Sequence, residues 1–183
     1  MPLVQRLAGL RQEQSAGVVA AFSAISRGEG VTFVTESLAW ELARQTGEQI
    51  LLTTPAGLSV AASTRFREEE LDGPQPVRRL PAARNGPLRD LGRQDLEGLR
   101  RRFGFVLVDC PPMRESSSIL GVSRLCDGVV LVIAAGEARR SEIEYARNVL
   151  QAGSANVLGL VLNKRIDPDR AGKIIPRTFA GWP

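Results

Sequence analysis

Short, uninterrupted apolar runs alternate along this chain with longer stretches whose apolar residues recur every three or four positions. Gly17–Ala24 is the first such run, and Glu48–Thr53, Phe105–Cys110, Gly128–Ala134 and Val157–Asn163 repeat the pattern. Runs of this length, rich in Val, Ile and Leu and closed by turn residues, predict strands. Val34, Leu38 and Leu42, with Ala39 and Ala43 beside them, predict a helix over Val31–Gln45. Leu88, Leu91, Leu96 and Leu99 predict a second helix over Leu88–Arg102, and Ser116–Leu125 a third. Ile143, Ala146 and Leu150 predict a fourth, with Ser141 as its cap. Val77–Pro81 reads as an edge strand because of its proline. Residues 55–76, punctuated by Pro55, Gly57, Gly73, Pro74 and Pro76, read as a surface excursion with a short helix over Val60–Glu70.

Strands without polar alternation are buried on both faces, which requires a mostly parallel sheet with helices on each side. The expected fold is therefore a three-layer α/β domain over residues 1–166. A tail follows over 167–183, with three prolines and no periodicity. Such sheets bind ligands beyond the carboxyl ends of their strands. That directs attention to Ser26–Thr32, Thr53–Gly57, Asp109–Pro112 and the chain from Asn163 onward.

Composition narrows the chemistry. The 183 residues are enough for one domain with a core. Histidine is absent, which removes His-based general-base catalysis and the commonest metal ligand. Cys110 and Cys126 sit in apolar surroundings and read as buried free thiols, too few for a structural zinc site. The net charge of +4 comes almost wholly from arginine, since Lys164 and Lys173 are the only lysines. Those arginines are interleaved with acids, without a basic block bearing aromatics, so nucleic-acid binding is not expected. No apolar run approaches the ~20 residues that span a bilayer, and the start of the chain lacks a signal-peptide layout, so a cytoplasmic location is expected.

Ser26-Arg27-Gly28-Glu29-Gly30-Val31-Thr32 follows the first strand and opens a helix, the place of a phosphate-binding loop. Working loops of this kind end Gly-Lys-Ser/Thr, the lysine reaching the terminal phosphates and the hydroxyl holding magnesium. Gly30 and Thr32 stand, but Val31 takes the lysine position. A plain tight turn needing Gly28 and Gly30 for backbone geometry explains the same residues.

Four stretches give the loop a context. Ser23–Gly30 resembles the S-A-x-P-G-E-G loop of bacterial tyrosine kinases of capsular and exopolysaccharide synthesis, a group within the MinD/ParA-like deviant P-loop proteins. Phe105–Pro112 resembles their Y-V-I-I-D-T-P-P strand, Cys126–Val132 their A-D-G-V-I-L-V, and Asn156–Asn163 their N-V-L-G-V-V-L-N. The resemblance covers roughly residues 3 to 165. It implies that Arg27, Gly28, Glu29, Gly30, Thr32 and Asn163 form a vestigial nucleotide site, Asn163 at the base-contacting position. Thr32 and Asp109 would hold magnesium if nucleotide binds, and Asp109 would be the catalytic carboxylate if the protein is active. Asp109 before Pro111-Pro112 also reads as a turn cap, and Asn163 as a turn residue. Asp127 matches a structural position.

The departures shape the expected function. Val31 and Ser26 stand where the family has lysines, and Thr54 and Ala56 where it has acidic residues. The family's terminal tyrosine cluster is missing, Tyr145 being the only tyrosine, and the oligomerisation motif around Arg6 is eroded. Arg27 is the obvious substitute cation. The expectation is a degenerate kinase- or ATPase-like module, catalytically inactive and without a cofactor. It would bind a membrane chain-length regulator or another polysaccharide-export protein, reach the inner membrane through that partner, and form homo-oligomers as relatives do. The alternative is an active tyrosine kinase or MinD/ParA-like ATPase switch using ATP and magnesium. A positioning or scaffold protein unrelated to polysaccharide is a third reading.

Overall fold

A computed structural model describes residues 2–62, 67, 69, 71–80, 91–136, 139–164 and 177–179. The first element is a helix, α1 (Pro2–Glu13), which the sequence reading did not anticipate. Strand β1 (Val18–Ala24) follows, then α2 (Val31–Thr46), β2 (Ile50–Thr53), α3 (Pro55–Ala61) and β3 (Val77–Arg79). The second half runs α4 (Glu97–Arg102), β4 (Phe105–Asp109), α5 (Ser118–Ser123), β5 (Gly128–Ala134), α6 (Arg140–Ala152), β6 (Val157–Asn163) and β7 (Arg177–Phe179).

The strands form one sheet in the order β3-β2-β4-β1-β5-β6-β7. Six are parallel and β7 runs antiparallel to β6. Every residue of β1 and β5 is buried, because alternate side chains enter different cores. Val18, Ala20 and Phe22 face α1 and α2 through Leu7, Val34, Leu38 and Leu42. Val19 and Ala21 belong to the opposite core with Leu58, Leu99, Ile119 and Leu150, from α3 to α6. This is the expected three-layer, mostly parallel arrangement. β1 lies between β4 and β5, and the chain leaves it first toward β2 and later crosses to β5. The crevice at that reversal is where open α/β sheets bind ligands.

Four expectations need correction. Residues 55–76 are not wholly a surface excursion: α3 starts at Pro55 and buries Leu58 against the core. Pro55 is its first residue and the Thr54 hydroxyl accepts the Gly57 N–H at 3.2 Å, so the apparent breakers form a helix start. Of the anticipated helix over Val60–Glu70, residues 63–66, 68 and 70 lie outside the described residues. The single helix over Leu88–Arg102 is instead a 3-10 turn, Arg93–Leu96, followed by α4; residues 88–90 are not described. Ser141 does not cap α6, because the Arg139 N–H is bonded to the Glu142 carboxylate at 2.9 Å and the helix begins at Arg140. Finally, the sheet extends beyond residue 166, since residues 177–179 pair with Leu160–Leu162. The rest of the expected tail lies outside the described residues.

Candidate functional site

The β1–α2 loop turns on two glycines with positive φ, Gly28 at 80° and Gly30 at 88°. The loop closes on itself, as the Ile25 N–H donates to the Glu29 carboxylate at 3.1 Å. It is also braced from behind. Asn163, at the end of β6, donates from Nδ2 to the Glu29 carbonyl at 2.9 Å. Asn163 is 3% exposed, and its Oδ1 has no hydrogen-bond partner among the described residues. A Cβ on residue 30 would come within 2.2 Å of that Nδ2, so glycine is required there for packing as well as for φ.

Beyond the loop, β4 carries Asp109 to the crevice. Asp109 pairs with Phe22 in the β1–β4 register, and the following chain is tied to β1 by Cys110 N–H to the Phe22 carbonyl at 2.8 Å. The buried Ser23 hydroxyl donates to the Pro111 carbonyl at 2.8 Å. These bonds fix Asp109 opposite the start of α2, where the Thr32 hydroxyl donates to Oδ2 at 2.6 Å. Burial raises the Asp109 carboxyl above its ordinary value; the Thr32 bond works against that rise and the Glu36 charge adds to it.

Loop, β2 end and β4 end enclose a cleft of about 730 Å³. Arg27, Gly28, Glu29, Gly30, Thr32 and Asp109 all line it, so the structure brings these sequence-picked residues together. Asn163 is not among the residues lining it; its side chain holds the loop through the Glu29 carbonyl. Thr32 and Asp109 form a hydroxyl–carboxylate pair able to hold a divalent ion. Among the described residues no group of three or more His, Cys, Asp or Glu could hold a metal by itself.

The departures from a working loop also have defined places. Val31 is 8% exposed and belongs to the core under α1 and α2. Thr54 spends its hydroxyl on capping α3, and Ala56 sits half-buried in the first turn of that helix. Among the described residues Arg27 is the one cationic side chain lining the cleft, yet it is 84% exposed and ion-paired with Glu115. Asp127 lies at the opposite end of the sheet, accepting the Val19 N–H at 2.8 Å and gripped by Arg100 at 2.7 Å. It is structural, as expected. Both cysteines are buried, and burial pushes both thiols up, which leaves them protonated and unreactive.

Three residues near the site escaped the sequence reading. Ser23 opens the stretch that resembles the family's loop, but that resemblance assigns its hydroxyl no role. Glu36 and Arg79 form an ion pair at 2.9 Å that joins α2 to the edge strand β3. They are 43 positions apart in the chain, so only tertiary folding relates them.

The parallel sheet, the crevice at its reversal and a glycine-rich loop opening α2 define an α/β P-loop NTPase-like protein. No family profile matches the sequence. The chain is 25% identical over 171 residues to the tyrosine-protein kinase CpsD of Streptococcus pneumoniae, covering 80% of this chain and 75% of that one. Its structure resembles the VpsO kinase domain with a TM-score of 0.75, at 21% identity over 91% of this chain and 92% of that one. It also resembles the septum site-determining protein MinD of Pyrococcus horikoshii, solved with Mg-ADP, with a TM-score of 0.59 at 20% identity over 84% and 75% of the two chains. The chain is thus similar in sequence to a bacterial tyrosine-protein kinase of the CpsD type and shares the MinD-like P-loop fold.

Proposed function

We propose that this protein is a catalytically inactive, kinase-derived module that acts by protein interaction in exopolysaccharide synthesis or export. The observation that carries this reading is the placement of Val31 and Arg27. The first buries an apolar side chain where the loop needs a cation, and the second is held outward by Glu115. Phosphoryl transfer depends on positioning and on electrostatic stabilisation of the transferring group. Losing one strong contributor of that kind costs roughly 10²–10³ in rate. Here the lysine and two carboxylates are absent together, and one of their replacements, Thr54, is committed to a helix cap. The cleft residues thus fit a divalent ion through Thr32 and Asp109 but do not fit the charge of a triphosphate, and no chemical step is assigned to them.

The partner that fits this reading is a cytoplasmic segment of a membrane chain-length regulator or a related export protein, as the kinase resemblance implies. Among the described residues no helix is long and apolar enough to cross a membrane, so membrane recruitment would pass through that partner. The intact Thr32–Asp109 pair at 2.6 Å favours a second reading, a nucleotide switch without a lysine. Calorimetric titration with Mg-ATP, followed by a phosphate-release assay, separates the two. The expected outcome is no turnover and no micromolar binding. Micromolar binding with turnover overturns the inactive reading.

A further inference from the structure

The cleft has an apolar wall and an acidic floor. Val31, Pro55, Ala56, Pro111 and Pro112 supply the wall. Asp109 lies at the floor, its carboxylate accepting the Thr32 hydroxyl and paired with no cation among the described residues. A second recess of about 260 Å³ adjoins it, sharing Thr32, Thr54 and Asp109 and running between α2 and the ends of β2 and β3. Glu36, Asp72 and Arg79 line that recess. The Arg79 guanidinium is taken by Glu36 at 2.9 Å. Among the described residues, Glu29, Asp109, Glu36 and Asp72 line the two cavities together with two guanidiniums, Arg79 and Arg27. Arg27, at the rim, is paired with Glu115 instead.

Resting on the reading that the cleft no longer serves a triphosphate, we propose that it receives an arginine side chain from the partner protein, seated on Asp109 and flanked by apolar residues of an extended segment. The charge arrangement selects the guest. Among the described residues, an incoming anion meets more carboxylates than cations, whereas a cation supplies the missing complement. The volume suits a side chain with its neighbours, as ligand sites span about 300–1,000 Å³. Arginine fits better than lysine because its flat, weakly hydrated guanidinium packs against apolar walls and presents a fork of donors to one carboxylate. The partner's cation then occupies the region left without one when Val31 replaced a lysine.

The test uses the full chain in magnesium-free buffer, with n-butylguanidinium as the probe of an arginine side chain. n-Butylurea is its neutral counterpart and inorganic pyrophosphate the opposing anion. Backbone amide NMR shifts at Thr32 and Asp109 report binding. The guanidinium should bind at least about fivefold tighter than the urea, the preference a partly exposed charge pair supplies. Pyrophosphate should leave these amides unmoved. Asp109→Asn should abolish the preference. Ala56→Lys, which places a tethered cation at the cleft from a half-buried position, should block the probe while leaving the floor intact. Equal affinity for guanidinium and urea, no shift at these amides up to the probe's solubility limit, or pyrophosphate binding in its place overturns the proposal. So does a preference that survives both variants. Mg-ATP turnover alongside an intact guanidinium preference removes the inactive-kinase reading alone. Loss of the preference without nucleotide binding removes this inference alone.

Discussion

Asn163 donates to the carbonyl of Glu29 at 2.9 Å through space that a side chain on Gly30 would fill. This single bond ties the end of β6 to the phosphate-loop position, 134 residues away in sequence. It makes the loop part of the rigid sheet rather than a free surface turn. The Gly30→Ala substitution should therefore be costly. A left-handed alanine costs about 1–2 kcal/mol, and the overlap with the Asn163 amide adds to it, for a total of about 2–4 kcal/mol. Urea denaturation measures the loss. Repeating it in an Asn163→Ala background should recover the steric part, so the two effects should be non-additive.

Val31→Lys tests whether the loop is still a phosphate loop. The valine is buried, and giving up its apolar contacts should cost about 1–2 kcal/mol. In exchange the lysine can curl toward the loop amides, and Mg-ATP affinity should rise above that of the unmodified chain in a calorimetric titration. No gain in a folded variant would show that the cleft has ceased to accept phosphates for reasons beyond the lost charge.

The Asp109 carboxyl gives a pH signature. Its folded value is raised, chiefly by burial, so the native state holds this proton more tightly than the unfolded chain does. The stabilisation from that proton is full below the unfolded value near ~4 and is lost as pH rises through the folded value. At neutral pH the ionised group is a net cost. Asp109→Asn, which can still accept the Thr32 hydroxyl, should be more stable than the unmodified chain at neutral pH, and the advantage should vanish in acid. Unfolding curves for both proteins across that pH range check the sign.

Arg100 and Asp127 form a buried ion pair, with side chains 7% and 10% exposed. Arg100 also donates to the Gly17 carbonyl at 2.7 Å, and Asp127 holds the Val19 N–H at 2.8 Å, so the pair staples α4 to the starts of β1 and β5. Arg100→Met should cost about 3–5 kcal/mol because it strands the Asp127 charge in the interior. Denaturant unfolding would show the loss, while amide shifts around Thr32, at the other end of the sheet, should change little.

The sequence by itself determined the strands, since β1, β4, β5 and β6 are apolar runs that only a sheet covered on both faces can bury. It also determined that the loop after β1 lacks a lysine, a fact of composition that no packing can alter. It was less informative wherever a residue has two uses. Pro55 and Gly57 read as breakers, yet with Thr54 ahead of them they start a helix, because only the first turn of a helix tolerates proline so readily. Residues 177–179 show no periodicity and become a strand because β6 offers them an open edge. Tertiary structure alone decided what the surviving site residues do. Thr32 and Asp109 meet because the β1–β4 register brings the end of one strand beside the helix that follows the other. Asn163 turned out to brace the loop rather than line the cleft, and Arg27 is held outward by a glutamate 88 positions later. Identity and spacing name the residues of a site; where each side chain points is fixed by contacts between segments remote in the chain, and those contacts decide which charges the cleft presents.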